Sequence, residues 1–208
     1  MKKLLIEFLG TFILSLVMVT GAILDSWLVA SASTGFVLMG LIYSGGHVSG
    51  GHFNPAVSMA VFLRGRLGIK DLPAYILAQF LGSALGAAVG VLLIAGKSGE
   101  GHLIDQQILA ALICEVAGTF AVCWVFLNVA SSRATIGNSF YGIAMGGILV
   151  GGMITLGKIS GGAFNPSLAL SLGISNISGF GNIWVHWVGE ALGSVGAAFV
   201  FIWVHGKD

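Results

Sequence analysis

Charge is what this sequence has least of. Only 8% of its 208 residues are Asp, Glu, Lys or Arg, while 56% are hydrophobic. A soluble domain carries roughly 25% charged residues. A chain so poor in charge cannot cover itself with a water-compatible surface, so lipid must be its solvent. Stretches free of all four charged residue types run from Ser26 to Leu63, Leu72 to Gly96, Ala134 to Gly157, Ile159 to Gly189 and Ala191 to Gly206. The first four are long enough for a membrane span of about 20 residues, and the last, of 16 residues, falls short of one by itself. A net charge of +1 argues against nucleic-acid binding. Cysteine is scarce too: Cys114 and Cys123 sit inside an apolar run and read as buried small residues, not as a disulfide scaffold. Zinc-ligand spacing, a phosphate-binding Gly-rich loop followed by Lys, and a nucleophile–base pair are all missing. No metal site, cofactor or enzymatic activity is therefore expected.

What is present is one unit written twice. The segment Gly46-His47-Val48-Ser49-Gly50-Gly51-His52-Phe53-Asn54-Pro55 returns 111 residues later as Gly157-Lys158-Ile159-Ser160-Gly161-Gly162-Ala163-Phe164-Asn165-Pro166. Upstream, Glu7-Phe8-Leu9-Gly10-Thr11-Phe12 returns as Glu115-Val116-Ala117-Gly118-Thr119-Phe120. Downstream, Gln79-Phe80-Leu81-Gly82-Ser83 is echoed by Glu190-Ala191-Leu192-Gly193-Ser194. Matches in the same order at offsets of 108 and 111 identify a duplication, with repeats over 1–100 and 108–208 of a single domain, 1–208. The start, Met1-Lys2-Lys3 before an apolar stretch with Ala30-Ser31-Ala32 beyond it, has the form of a signal peptide. The repeat instead places this segment inside the mature architecture.

Each half holds about three spans, roughly 4–24, 34–48 and 72–95, then 108–130, 138–156 and 181–205. An odd number of crossings inverts the second half relative to the first. With both termini cytoplasmic, Lys2, Lys3, Arg64, Arg66, Lys70, Arg133 and Lys207 lie inside, and only Lys97 and Lys158 outside. That is the positive-inside pattern, with the Lys97–Gln106 loop outside. Two apolar segments remain, after Pro55 and after Pro166. They run to Arg64 and to Gly173, the second being the shorter, and each reaches only about half of a 30 Å hydrocarbon core. Irregular backbone at such depth is tolerated where it is buried or lines a water-filled cavity, so a cavity is expected.

Asn favours the N-cap and Pro the first helical position, so Asn54-Pro55-Ala56 and Asn165-Pro166-Ser167 read as helix starts. Each Asn oxygen caps its own helix, which leaves two N–H donors to point elsewhere. Two half-helices meeting head to head would converge those donors and two positive dipole ends on one spot. A water there presents its oxygen and turns its hydrogens away, which interrupts proton hopping and repels cations.

These motifs resemble the aquaporins and aquaglyceroporins, the major intrinsic protein family. The likeness spans the whole chain and rests on Ser49-Gly50-Gly51-His52-Phe53-Asn54-Pro55-Ala56-Val57, the second Asn165-Pro166 and the paired Glu-x-x-Gly-Thr-Phe segments. It implies an all-α membrane protein with six transmembrane helices, two re-entrant half-helices and a pore in each protomer of a homotetramer. Glu7, Glu115 and His52 become supporting residues, the two glutamates accepting hydrogen bonds from loop backbone. Where the family's second motif continues into Arg, this chain has Leu168. Counted along the family pattern, the outer constriction falls on Thr34, Met153, Gly162 and Leu168, and lacks the usual aromatic residue, histidine and arginine. A mouth without arginine is expected to be wider and less water-selective; the opposite outcome is a narrow gate of Met153 and Leu168.

The leading reading is a passive channel in a cytoplasmic (plasma) membrane, with water, glycerol, urea, ammonia and metalloid hydroxides all open as solutes. A secondary transporter also uses inverted repeats, but needs coupling residues beyond Glu7, Glu115 and Glu190. A structural membrane protein of low permeability is the second alternative. Glu190, aligned with Gln79, reads as an amide-like packing residue. Trp27 reads as an interfacial anchor, and the Gly-x-x-x-Gly series at Gly82, Gly142 and Gly189 as close helix contacts.

Overall fold

The computed structural model describes residues 1–24, 26–94 and 107–206. Lys97–Gln106 and Lys207, which enter the orientation argument, lie outside the described residues. Nine α-helices follow in order among the described residues: α1 (Lys2–Leu24), α2 (Trp27–Ser49), α3 (Pro55–Leu63), α4 (Asp71–Leu93), α5 (Ile108–Phe126), α6 (Tyr141–Thr155), α7 (Gly157–Ser160), α8 (Pro166–Ile174) and α9 (Ile183–His205). A π-helical turn, Leu127–Ser131, prolongs α5. By length and composition, α1, α2, α4, α5 with its π-turn, and the segment Phe180–His205 that contains α9 can cross a membrane. The sixth long segment is interrupted. α6 is apolar but only 15 residues long, and the helix breaks at Leu156 before α7 continues it. From Tyr141 to Ser160 the pair reaches about 30 Å.

Two expectations need adjusting. α2 begins at Trp27 instead of near 34, because Ser26 caps it: its hydroxyl accepts from Val29 N at 3.3 Å. The second half-helix is not the shorter one. α3 and α8 are nine residues each, about 13 Å, and together they amount to nearly one span.

The duplication is also a packing symmetry. α1 lies against α4 as α5 lies against α9, and α2 meets α6 across the two halves. Each half-helix packs more closely on the last long helix of the opposite half than on that of its own: α8 on α4, α3 on α9. Glycines set the long contacts. A Cβ at Gly82 or Gly86 would overlap the Phe8 or Phe12 carbonyl of α1, and one at Gly193 would come within 2.5 Å of the Val116 carbonyl of α5. Lipid gives helices no hydrophobic reason to associate, so such close backbone approach supplies the attraction. Outward faces carry Leu77, Leu81, Leu109, Ile113, Phe199 and Trp203, all exposed and apolar.

Candidate functional site

Both Asn-Pro helix starts are reached through the same strained turn. Gly50 and Gly51 have φ of 95° and 67°, and Gly161 and Gly162 have 93° and 53°. This is left-handed backbone that glycine adopts freely. The next-but-one residues are Phe53 (φ 46°) and Phe164 (φ 47°), and a non-glycine held there costs on the order of 1–3 kcal/mol.

Two contacts hold each turn, and they account for the repeated Glu-x-x-Gly. Glu7 Oε1 accepts from Ser49 Oγ at 2.6 Å and His52 N at 3.0 Å, while its Oε2 accepts from Phe53 N at 2.6 Å. Glu115 does the same in the second half, accepting from Ser160 Oγ (2.6 Å), Ala163 N (3.2 Å) and Phe164 N (3.0 Å). Three residues after each glutamate, the glycine leaves the slot for the ring: a Cβ at Gly10 would sit inside the Phe53 ring, and one at Gly118 inside the Phe164 ring. The repeated Gly-Ser has a matching role. Ser83 Oγ donates to the Ser167 carbonyl, and Ser194 Oγ donates to the Ala56 carbonyl at 2.6 Å. Each long helix thus fastens the half-helix of the other half.

The two asparagines meet. Asn54 Oδ1 accepts from Ala56 N at 2.8 Å, and Asn165 Oδ1 accepts from Ser167 N at 3.0 Å and Ser167 Oγ at 2.8 Å. Asn54 Nδ2 donates to the Phe164 carbonyl and Asn165 Nδ2 to the Phe53 carbonyl, both at 2.9 Å. This corrects the expectation that both amide hydrogens of each Asn are spare: one of the two crosses to the opposite turn, and one remains. Pro55 and Pro166 occupy the first helical position in α3 and α8.

Asn54 and Asn165 both line a cavity of about 20 Å³ with His52, Leu14, Ile42, Leu149 and Leu168. A single water needs roughly 10–15 Å³ of such volume, so the space holds about one. His52, buried beside Ser58 Oγ (3.0 Å), also borders a cavity of about 350 Å³ that carries Lys3, Arg66 and Arg133 on its wall. Of the four residues assigned to the outer constriction, only Leu168 borders the small cavity. Thr34, Met153 and Leu168 are each 0% exposed, and Thr34 Oγ1 donates to the Ala30 carbonyl one turn back on its own helix at 2.7 Å. Gly162 is buried against Gly157 and Met153, where a Cβ would come within 2.6 Å of the Gly157 Cα.

Several polar residues stand elsewhere than expected. Trp27 is half-buried, donates through Nε1 to the Met153 carbonyl at 2.8 Å and covers Gly157. His47 and Lys158 are exposed. Glu190 and its repeat counterpart Gln79 have different partners. Gln79 donates from Nε2 to Glu7 Oε2 at 2.8 Å, whereas Glu190 accepts from Asn165 N at 2.8 Å. His186, unremarked in the sequence, has its Nδ1 3.2 Å from Glu115 Oε1. The offset of 111 sets His186 opposite Tyr75, but only the fold brings it to Glu115.

Comparison with known proteins agrees with this arrangement. Residues 1–201 match the family model "Major intrinsic protein". The chain is 35% identical over 170 residues to Aquaporin NIP1-1 of Zea mays, covering 80% of this chain and 59% of that one. It is likewise 35% identical over 170 residues to Nodulin-26 of Glycine max, with 80% and 62% covered. It thus spans about three fifths of the length of these two curated relatives. A third, Aquaporin NIP1-1 of Arabidopsis thaliana, is 31% identical over 225 residues, with 100% and 75% covered. The fold is similar to the X-ray structure of the aquaglyceroporin from Plasmodium falciparum, with a TM-score of 0.73, 22% identity, and coverage of 96% of this chain and 94% of that one. The duplicated turns, the paired half-helices and these matches together place the chain in the major intrinsic protein family.

Proposed function

We propose that this protein is a passive transmembrane channel for water and small uncharged solutes. The observation that carries the reading is the pair Asn54 and Asn165 on one cavity with room for about one water, each with an amide hydrogen left after capping and crossing. Two N–H donors and two helix N-termini at one point accept a water oxygen and disfavour a cation. Pro55, Ala56, Pro166 and Ser167 complete the two turns, with Glu7, Glu115 and His52 as their supports.

Thr34, Met153, Gly162 and Leu168 form an arginine-free constriction in this reading. Three of them being fully buried favours a closed apolar gate, which opens to pass solute. Glycerol, urea, ammonia and metalloid hydroxides are all uncharged candidates beside water. The channel is an integral, multi-pass protein of the cytoplasmic membrane with both termini inside, working as a homotetramer with one pore per protomer. The repeats 1–100 and 108–208 together form its single domain.

The test is reconstitution into proteoliposomes, with light scattering after an osmotic step. Water efflux faster than from protein-free liposomes, with a low activation energy, is the expected result. Rates equal to those of empty liposomes for water and for every neutral solute above would refute the channel reading.

A further inference from the structure

The two halves of the chain hold their turns with the same glutamate but with different neighbours. In the first half, Glu7 is accompanied by Tyr75 and Gln79, both donors. Tyr75 donates to the Ser49 carbonyl at 2.7 Å, and Gln79 Nε2 donates to Glu7 and, at 2.9 Å, to Ser58 Oγ. In the second half the equivalent positions are Glu115, His186 and Glu190. We propose that these three residues form a binding site for one divalent transition-metal ion of the Zn²⁺ type.

Three observations carry this. First, one ligand atom from each residue lies within 4.8 Å of the others, with His186 and Glu190 one turn apart on α9 and Glu115 facing them from α5. Ligand bonds of about 2.0–2.2 Å set donor atoms roughly 3.3 Å apart around such an ion, close to the 3.2 Å between His186 Nδ1 and Glu115 Oε1. Second, both carboxylates are 0% exposed and the imidazole 1%. Two ionised carboxylates side by side in a membrane interior are strongly unfavourable unless neutralised. A divalent ion neutralises both, with the imidazole as a neutral third ligand. Third, three polar atoms in the cluster are unclaimed, while Glu115 Oε1 already accepts from Ser160 Oγ and Ala163 N. Neither ring nitrogen of His186 has a hydrogen-bond partner, and neither does Glu190 Oε2. The 3.2 Å contact with Glu115 lacks hydrogen-bond alignment. One imidazole and two carboxylates suit a borderline ion such as Zn²⁺.

An ion here joins the two carboxylates that hold the second turn. Glu115 accepts from Ser160, Ala163 and Phe164, and Glu190 from Asn165 N at the start of α8. Its removal loosens the Gly157–Phe164 turn and leaves the first-half turn untouched. The ring of His186 lies directly beneath Gly161, where a Cβ would be 3.3 Å from its Cε1, so the turn also covers the site. Spacing in the sequence could not reveal the cluster, because one ligand comes from a different helix. The proposal is independent of what passes through the protein.

The test uses tag-free full-length protein, stripped with EDTA, incubated with Zn²⁺ and desalted before its metal is measured by mass spectrometry. One equivalent per chain is expected, together with a Zn²⁺-dependent rise in melting temperature. The double variant His186→Tyr/Glu190→Gln carries the residues of the first half, and is expected to retain at least about tenfold less Zn²⁺. The single variant Glu190→Gln should lose binding in the same direction. Wild-type protein retaining no more Zn²⁺ than the double variant overturns the site, and shared protons then neutralise the cluster. Should both variants misfold, X-ray absorption at the zinc edge of the wild type decides. A first shell of one imidazole nitrogen with carboxylate oxygens supports the site, and a shell with several imidazoles or sulfur overturns it.

Discussion

Asn165 reaches across the midline of the fold to Phe53, its Nδ2 donating to the Phe53 carbonyl at 2.9 Å, and Asn54 returns the same bond to Phe164. The strained turn in each half therefore presents an acceptor to the helix cap of the other. Replacing both asparagines with Asp turns these donors into acceptors facing carbonyl oxygens. Asn54→Asp/Asn165→Asp is expected to lower stability by about 1–3 kcal/mol for each unsatisfied pair. It should also let protons or cations through liposomes that the parent keeps tight. A pH-sensitive dye inside the liposomes reads this directly, and an unchanged leak would remove the asparagines from the proton barrier.

The ring slots give a sharper stability test. Gly10→Ala and Gly118→Ala push a methyl into the Phe53 and Phe164 rings and are expected to cost about 1–3 kcal/mol each. Gly147 and Gly151 on α6 have nothing within 4 Å of an added Cβ. Alanine at either is expected to be neutral, or stabilising by up to about 1 kcal/mol through helix propensity. Melting curves in detergent for the four variants compare slot with open face. Equal losses at all four would mean that the slots are not what makes these glycines necessary.

Leu168 controls selectivity if the arginine-free constriction is where we place it. The parent should pass glycerol or urea as well as water once open. Leu168→Arg adds a cationic five-donor group and is expected to cut glycerol and urea flux by about tenfold, equal to about 1.4 kcal/mol of barrier, with a smaller effect on water. Leu168→Ala removes bulk beside the small cavity and should raise solute flux. Side-by-side permeabilities settle the matter. A parent that excludes everything larger than water, unaltered by either substitution, would move the filter elsewhere.

Orientation is tested with single cysteines. Leu24→Cys lies at the exposed end of α1 and Lys70→Cys at the exposed start of α4. The native Cys114 and Cys123 are buried, so background labelling should be low. An impermeant maleimide added to intact cells should label the first and spare the second. The reverse pattern would invert the assignment.

The sequence by itself determined the duplication, the lipid environment and the location of both half-helices. These follow from properties carried along the chain: the paucity of charge, repeats at fixed offsets, and Asn-Pro as a helix start. Through the family resemblance that its motifs carry, it also pointed to Glu7 and Glu115. Tertiary structure decided what depends on neighbours distant in sequence. Only the meeting of the two turns shows that one amide hydrogen of each Asn is already used. Only packing shows that Trp27 Nε1 donates to the Met153 carbonyl. The repeat alone suggested that Glu190 imitates Gln79, yet Gln79 donates to a carboxylate, whereas Glu190 brings a second carboxylate beside the first. A repeat transmits position faithfully, but the hydrogen-bonding chemistry at each position belongs to the residue that occupies it.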